Sequence, residues 1–397
     1  MNFKIPTEDN TEPENIDILV VGASVSALSS TYHLLKNGFS SVKMLAPPHP
    51  PSPAEDELAG PPRAVFTSPL EPITRIDHQY GLRTVKEWTD YLTFGKHLLL
   101  DFLEGFEIDV KETWTRRIAL TKIEGDELRT CKSIWKTLGT DPKIYTWNKR
   151  TVLTNCETTL SFDLRKFESL LRSEVSQTVA SGIVTGIEEK EMKGETKLWV
   201  TTSTKKVYTT EAVVLACHTN IRDILPFYKS VFFSKLDQWS EIYCDNHPYS
   251  SLQVNMLKFG NHWFLPEAHD KIIFGGANYL RKTHNLFDKE TLKNDSAHIN
   301  QHLIAEIRSL DPSVNFGQLE NPHYYLTMRP CDEKPVIGPH FGSSRIYVCG
   351  GYMGTEPVLG FAAGHSVATL IRHGICADLP RSFYPERFRT LPQNTQK

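Results

Sequence analysis

Apolar positions cluster first at residues 17–22, "DILVVG", an unbroken run of the kind a strand buried on both faces requires. Residues 25–37 then place Leu28, Tyr32 and Leu35 on one helical face, and Gly38 stands where a left-handed residue ends a helix. "SVKML" at 41–45 is a second short strand, so the chain opens with a βαβ unit. Helical spacing returns at 81–104 (Leu82, Val85, Trp88, Tyr91, Leu92) and at 162–176. Strand-like pieces follow at 183–189, 197–202 and 206–216, the last ending in "EAVVLAC". Residues 231–280 alternate in polarity and are rich in aromatics, which predicts an antiparallel sheet and a second domain. A helix is expected over 291–310. The stretch 335–349 returns to a strand, "RIYVC", before Gly350 and Gly351, and a last helix over 359–373 carries Gly364, Val367, Leu370 and Ile371. No internal repeat is present.

Seven prolines in "APPHPPSPAEDELAGPPR" (46–63) forbid a helix or central strand and predict a long surface loop or lid. The 397 residues are enough for two or three domains, or for one large nucleotide domain with a second laid over it. A net charge of −3, with no Lys/Arg run longer than two, gives no electrostatic case for nucleic acid or an anionic membrane. Seven scattered cysteines without a CxxC pair predict reduced thiols in a cytoplasmic protein. No apolar run approaches membrane-spanning length. Residues 1–16, polar and acidic, read as a disordered tail rather than a signal or transit peptide. No metal site is assigned among the fifteen histidines, and without GxSxG a hydrolase triad has no support.

The turn after the first strand carries the chemistry. In a dinucleotide fingerprint, G-x-G-x-x-G/A, the first glycine makes the bend, the second admits the pyrophosphate to backbone N–H groups, and the third lets helix and strand pack. Here Gly22, Ser24 and Ala27 hold those places, with Ala23, Val25 and Ser26 between them. Ala27 is an accepted variant. Ser24 either occupies phosphate space or donates its hydroxyl to the phosphate. The carboxylate that usually ends the second strand is Ala46, with Glu55, Asp56 and Glu57 farther along the proline loop.

Five ordered stretches, "DILVVGASVSALSSTYHLLKNGF", "TRIDHQYG", "GIVTGIEE" with "AVVLAC", "MRPCDEKPVIGP" and "YVCGGYMGTEPVLGFAAG", resemble the FAD-dependent amine oxidoreductases of the D-amino-acid oxidase, glycine oxidase and sarcosine oxidase superfamily. The resemblance spans nearly the whole chain. It implies an α/β FAD-binding domain of the glutathione-reductase-like Rossmann type, with an α+β antiparallel-sheet substrate domain. The first would comprise 17–80, 151–225 and 325–385, the second 81–150 and 226–324, with 386–397 a tail. It implies noncovalent FAD, with Gly22 to Ala27 at the pyrophosphate, Thr74 and Arg75 along the flavin, the Val184 backbone at the adenine, and Gly351, Tyr352, Met353, Gly354 and Thr355 at the flavin N1/O2 edge, where donors favour reduction.

Arg75, His78, Arg329 and Glu356 are the candidate catalytic or substrate contacts. Departures accompany them. Phe274, with Lys271 out of register, stands where some relatives have an oxygen-activating lysine. Val358 and His78 replace basic clamps, Glu356 replaces a glycine, and Cys331 is out of register for covalent flavin. The implied activity is oxidation of a C–N bond in a small amine or amino acid by hydride transfer to flavin N5. The departures favour a dehydrogenase, or a biosynthetic oxidase of a nonstandard cyclic amine, over simple amino-acid oxidation. The alternative is a degenerate flavin fold that serves as a binding or scaffold partner. The substrate and the oligomeric state are left open.

Overall fold

A computed structural model describes residues 12–48, 64–192, 194–245, 247–268, 270–282 and 288–390. Its eight helices are α1 (Val25–Lys36), α2 (Ile73–Tyr80), α3 (Leu82–Gly105), α4 (Lys122–Thr137), α5 (Leu164–Val175), α6 (Ile221–Ile224), α7 (Lys289–Leu310) and α8 (Glu356–His373). Glu55 to Glu57 and most of the proline loop lie outside the described residues.

The strand Glu14–Val21 is central to the first sheet, parallel to Val42–Ala46 on one side and to Val207–Leu215 on the other. The strand Ser343–Gly350 runs parallel along the far edge of Val207–Leu215. Leu215 is in register with Val21 on one side and Val348 on the other, so two strands some 330 residues apart end level with each other. Both glycine turns therefore open at the carboxyl edge of one parallel sheet, where ligands bind in such folds. The β-strands Val184–Met192 and Glu195–Thr202 extend the sheet antiparallel.

The second sheet is built on the long strand Phe232–Asp245, flanked by Lys271–Gly276 and His323–Pro330. It continues through His262–Ala268, Asn255–Leu257, Arg116–Ile118, Arg150–Thr154 and Lys143–Trp147. Leu303, Ile307 and Leu310 of α7 pack with Phe264 and Phe274 of this sheet. A three-stranded sheet of Val65–Phe66, Thr158–Ser161 and Lys111–Trp114 completes the fold.

Three expectations are corrected. The first strand begins at Glu14 within the supposed tail, because Ile16 is buried and Glu14 pairs with Lys43 and Lys206. At the other end Phe388 is buried and Arg387 grips Asp332 at 2.7 Å, so the chain stays packed past 386. Helix α3, assigned from sequence to the substrate domain, shares a core with α1 and α8. Gly95 of α3 lies where a β-carbon would stand 3.0 Å from Ala362, and Tyr91 hydrogen-bonds Ser366 at 2.9 Å.

Helices α1 and α8 touch along their backbones. A β-carbon at Gly364 would fall against the Ser30 nitrogen and the Ser29 side chain, and the Ser29 hydroxyl donates to the Phe361 carbonyl at 2.6 Å. Gly364→Ala is therefore expected to cost about 1–3 kcal/mol through overpacking, read by denaturant unfolding. Gly105→Ala, which meets nothing within 4 Å, should be neutral or slightly stabilising. Equal effects of the two substitutions would refute the close approach.

Candidate functional site

Gly22 makes the first turn at φ +135°, and a β-carbon there would collide with the Ala216 carbonyl. Only glycine fits. Ser24 caps α1. Its hydroxyl donates to the Ala216 carbonyl at 2.8 Å, accepts from the Ala27 N–H at 3.3 Å, and lies 2.9 Å from the Ser26 hydroxyl. The Ser24 proton is engaged by the Ala216 carbonyl in this structure. Ala23 offers its carbonyl to Arg172 of α5 at 3.3 Å. Val25 and Ala27 are core residues.

The second turn has Gly351, Met353 and Gly354 at positive φ (+78°, +50° and +90°). Pro330 closes against Gly351, and the Leu70 side chain closes against Gly354. Leu70 is held in turn by Arg117, whose guanidinium donates to the carbonyls of Leu70 (3.1 Å) and Pro69 (2.9 Å) and pairs with Glu157 at 2.7 Å. Thr355 donates to the Tyr352 carbonyl at 2.6 Å. Burial pushes the Tyr352 phenol well above its ordinary range. Glu356, the first residue of α8, is buried and lies 3.3 Å from Nε2 of His218.

The crevice between the turns is bounded by Ser24, Ser26, Ala216, His218, Tyr352 and Glu356 among others, and encloses about 20 Å³. That is room for one water molecule. Beyond Tyr325, a residue common to both spaces, a larger cavity of about 370 Å³ opens on the second sheet. Lys235, Asp237, Asn278, Arg281 and Arg329 line it, with Glu71 from the lead-in to α2.

The candidate residues divide between these places. Glu356, Ser24, Ser26 and Gly351 to Gly354 meet at the crevice, and Arg329 reaches the cavity. Thr74, Arg75 and His78 line neither. Thr74 is buried and donates to Glu127 of α4. Arg75 points outward and pairs with Glu71 at 2.7 Å, which raises its already high pKa, and His78 is exposed. Val184 is buried at the start of its edge strand and does not line the crevice. Val358 packs against Gly95 of α3, and Phe274 faces the α7 core. Lys271 pairs with Glu241 and Glu267.

Sequence reasoning missed His218, Lys235, Asp237 and Arg281. The i, i+2 spacing of Lys235 and Asp237 on a strand was a readable signal of a shared face. It also missed a group drawn together by the fold, His262, His302 and Glu306, whose ligand-type atoms lie within 4.8 Å of one another. Glu306 takes hydrogen bonds and ion pairs from His262, His302 and Lys258, so the group is accounted for as an ionic network and no metal is assigned to it.

A family model described as FAD dependent oxidoreductase matches residues 177–370. No curated protein matches the chain. Among solved structures the chain is similar to iminodiacetate oxidase from Chelativorans sp. BNC1, at 14% identity over 93% of this chain and 98% of that one, with a TM-score of 0.66. It is similar also to L-proline dehydrogenase from P. horikoshii (14%, 95% and 99%, 0.66) and to glycine oxidase from Bacillus cereus ATCC 14579 (12%, 91% and 96%, 0.64). At such identities the likeness is one of fold. No helix among the described residues is long and apolar enough to cross a membrane.

FAD is the cofactor that this match implies. The backbone frame suits it: a glycine turn at a helix N-terminus on each side of Leu215. The side chains standing in the crevice do not, because about 20 Å³ is far below the roughly 300–1,000 Å³ of small-molecule pockets. Tyr352 and Glu356 are among the side chains that bound this space.

The charge around the first turn points the same way. Glu168 of α5 is pushed up to about 7, chiefly by burial and further by Glu356, against the pull of Arg172. Its folded pKa lies above the ordinary 4.5, so the folded chain holds a proton that the unfolded chain releases. Stability should fall as pH rises from about 4.5 to about 7 and level off above, by at most about 3 kcal/mol. Glu168→Gln should remove that slope in unfolding curves, and Glu356→Gln should move it to lower pH. An unchanged slope in both variants would show that the two carboxyl groups do not share this surface.

Proposed function

We propose that this chain is an FAD-dependent oxidoreductase that oxidises the C–N bond of a small amine or amino acid held in the cavity beside Tyr325, a reading supported by the family match over 177–370 and by the fold. The observation that carries the reading is the convergence of two glycine turns, level with Leu215, on a crevice that adjoins a cavity containing Arg329. When bound, FAD supplies a two-electron acceptor that takes hydride from a C–H bond next to nitrogen.

The chain's own residues supply binding and orientation. Arg329 has a buried Nε with no partner among the described residues, a donor suited to a substrate carboxylate. Asp237 accepts from Thr327 at 2.8 Å and from Asn278, and is placed to receive an ammonium group. Burial keeps the Tyr325 phenol protonated far above neutral pH, so it acts only as a neutral hydrogen-bonding group between crevice and cavity. The strand Lys271–Gly276 brings no cation to this cavity, since Phe274 turns to the far side and Ile273 packs beside Trp263 and Tyr325. The dehydrogenase form of the reading rests on Phe274, which stands where some relatives of the resembled family carry an oxygen-activating lysine.

FAD titration of the purified protein, followed by visible spectroscopy, tests the proposal. Saturable binding and bleaching of the flavin band by an amine or amino acid are expected, with little hydrogen peroxide formed in air. Tyr352→Gly, which empties part of the crevice, should tighten FAD binding at least ~10-fold, about 1.4 kcal/mol. A colourless protein that ignores FAD in both forms would leave the scaffold reading in its place.

A further inference from the structure

We propose that the cavity beside Tyr325 holds a second acidic group of its ligand on Arg281, so that the ligand class is a small amine bearing two carboxylates. The cavity contains three cations, Lys235, Arg281 and Arg329, and two anions, Glu71 and Asp237. Glu71 is taken by Arg75 at 2.7 Å, and Asp237 faces Lys235 at 3.8 Å, beyond hydrogen-bond range. Two guanidinium groups remain.

Arg281 is 7% exposed. One of its nitrogens donates to the neutral amide oxygen of Gln238 and the guanidinium lies over the Tyr324 ring, 5.7 Å from its centroid, while Nε and Nη1 are buried with no hydrogen-bond partner among the described residues, so no anion is paired with it there. The nearby acid Asp295 accepts instead from the Lys282 backbone N–H at 2.7 Å. A buried, unpaired cation costs several kcal/mol. Such a cost persists where a ligand relieves it.

The same fold shows how it treats an arginine used for structure. Arg117 is 4% exposed, and its Nε, Nη1 and Nη2 are all engaged, by Glu157 and two backbone carbonyls. Arg281 presents the opposite condition in a cavity of about 370 Å³, near the lower end of the volumes that hold small ligands. A guanidinium fork takes a carboxylate through two parallel hydrogen bonds. Arg329 would take the first carboxylate, Asp237 the ammonium, and Arg281 the second carboxylate.

This inference rests on the cavity being the substrate site, but its test needs no cofactor. The full-length protein as purified is titrated calorimetrically with iminodiacetate, glycine and inorganic phosphate. Iminodiacetate is expected to bind at least ~30-fold more tightly than glycine and more tightly than phosphate. In Arg281→Met the advantage over glycine should fall to about 3-fold or less, with glycine binding unchanged. The same substitution should raise the melting temperature, since it removes an unpaired buried charge, whereas loss of a merely structural arginine would lower it. Equal binding of iminodiacetate and glycine by the unaltered protein, tightest binding of phosphate, no binding at all, or full iminodiacetate affinity in Arg281→Met would each overturn the proposal. Failure of FAD to bind while iminodiacetate binds as expected would overturn the redox reading alone.

Discussion

Everything at the carboxyl edge of the first sheet depends on how closely α1 and α8 approach. Their contact is backbone on backbone at Gly364 and Ser30, and it leaves no room for the usual apolar stripe. The face of α1 that meets α8 is instead built of Ser26, Ser29, Ser30 and Thr31, all buried. Their hydroxyls are satisfied at short range: Ser30 returns to the Ser26 carbonyl at 2.7 Å, Thr31 to the Ala27 carbonyl at 2.9 Å, and Ser29 crosses to Phe361. Small residues whose polar atoms turn back on the backbone allow proximity without unsatisfied donors. The relative position of the two turns is therefore set by packing that tolerates little adjustment.

That rigid frame has an electrostatic consequence. The N-termini of α1 and α8 both border one small space, a condition that favours negative charge. In this chain the protein answers the field itself. Ser24 accepts from an amide of α1, and Glu356 places a carboxylate in the first turn of α8 beside His218. A ligand phosphate and these groups would occupy the same region and be drawn by the same dipoles, so binding of a dinucleotide is a competition with Glu356 rather than the filling of an empty cradle. Glu168, raised toward neutrality by burial and by Glu356, records how much negative character the site already carries.

Both strand–turn–helix units were legible in the sequence, because a strand buried on two faces must be uniformly apolar and a turn at positive φ must be glycine. The alternating stretch over 231–280 was legible for the same kind of reason. Outside helix α3, the region from 64 to 161 was not. Its strands are two to five residues long, some are as polar as Lys111–Trp114, and their partners are distant in sequence. The placement of Arg75 and His78 failed on a point the sequence did contain. Ile73 and Ile76 are one helical step apart and face inward, so Arg75 and His78, also three apart, lie on the outer side of α2. Likeness to a family's motif assigned them a role that helical periodicity denied. Glu356 was singled out as a departure and Tyr352 as a flavin-edge residue, but that both border one small crevice follows only from the fold.

Of the three buried arginines among the described residues, Arg116, Arg117 and Arg281, only Arg281 lines the cavity on the second sheet. Phosphate fingerprints read backbone shape, and backbone shape survives in this chain even where side chains have closed the space. Unpaired buried charge is different, because it opposes folding continuously and has no structural benefit to keep it. Arg117 has a structural use: it ties the Pro69–Leu70 loop to the second sheet and so fixes the wall behind Gly354. Arg281 ties nothing comparable together, yet it lies at the wall of the cavity that adjoins the crevice through Tyr325. The crevice keeps the backbone shape of the fold, and under the proposal above the cavity would carry its specificity. What the molecule recognises is to be read from the charges it leaves unanswered on the second sheet, rather than from the turn that first marks it as a nucleotide fold.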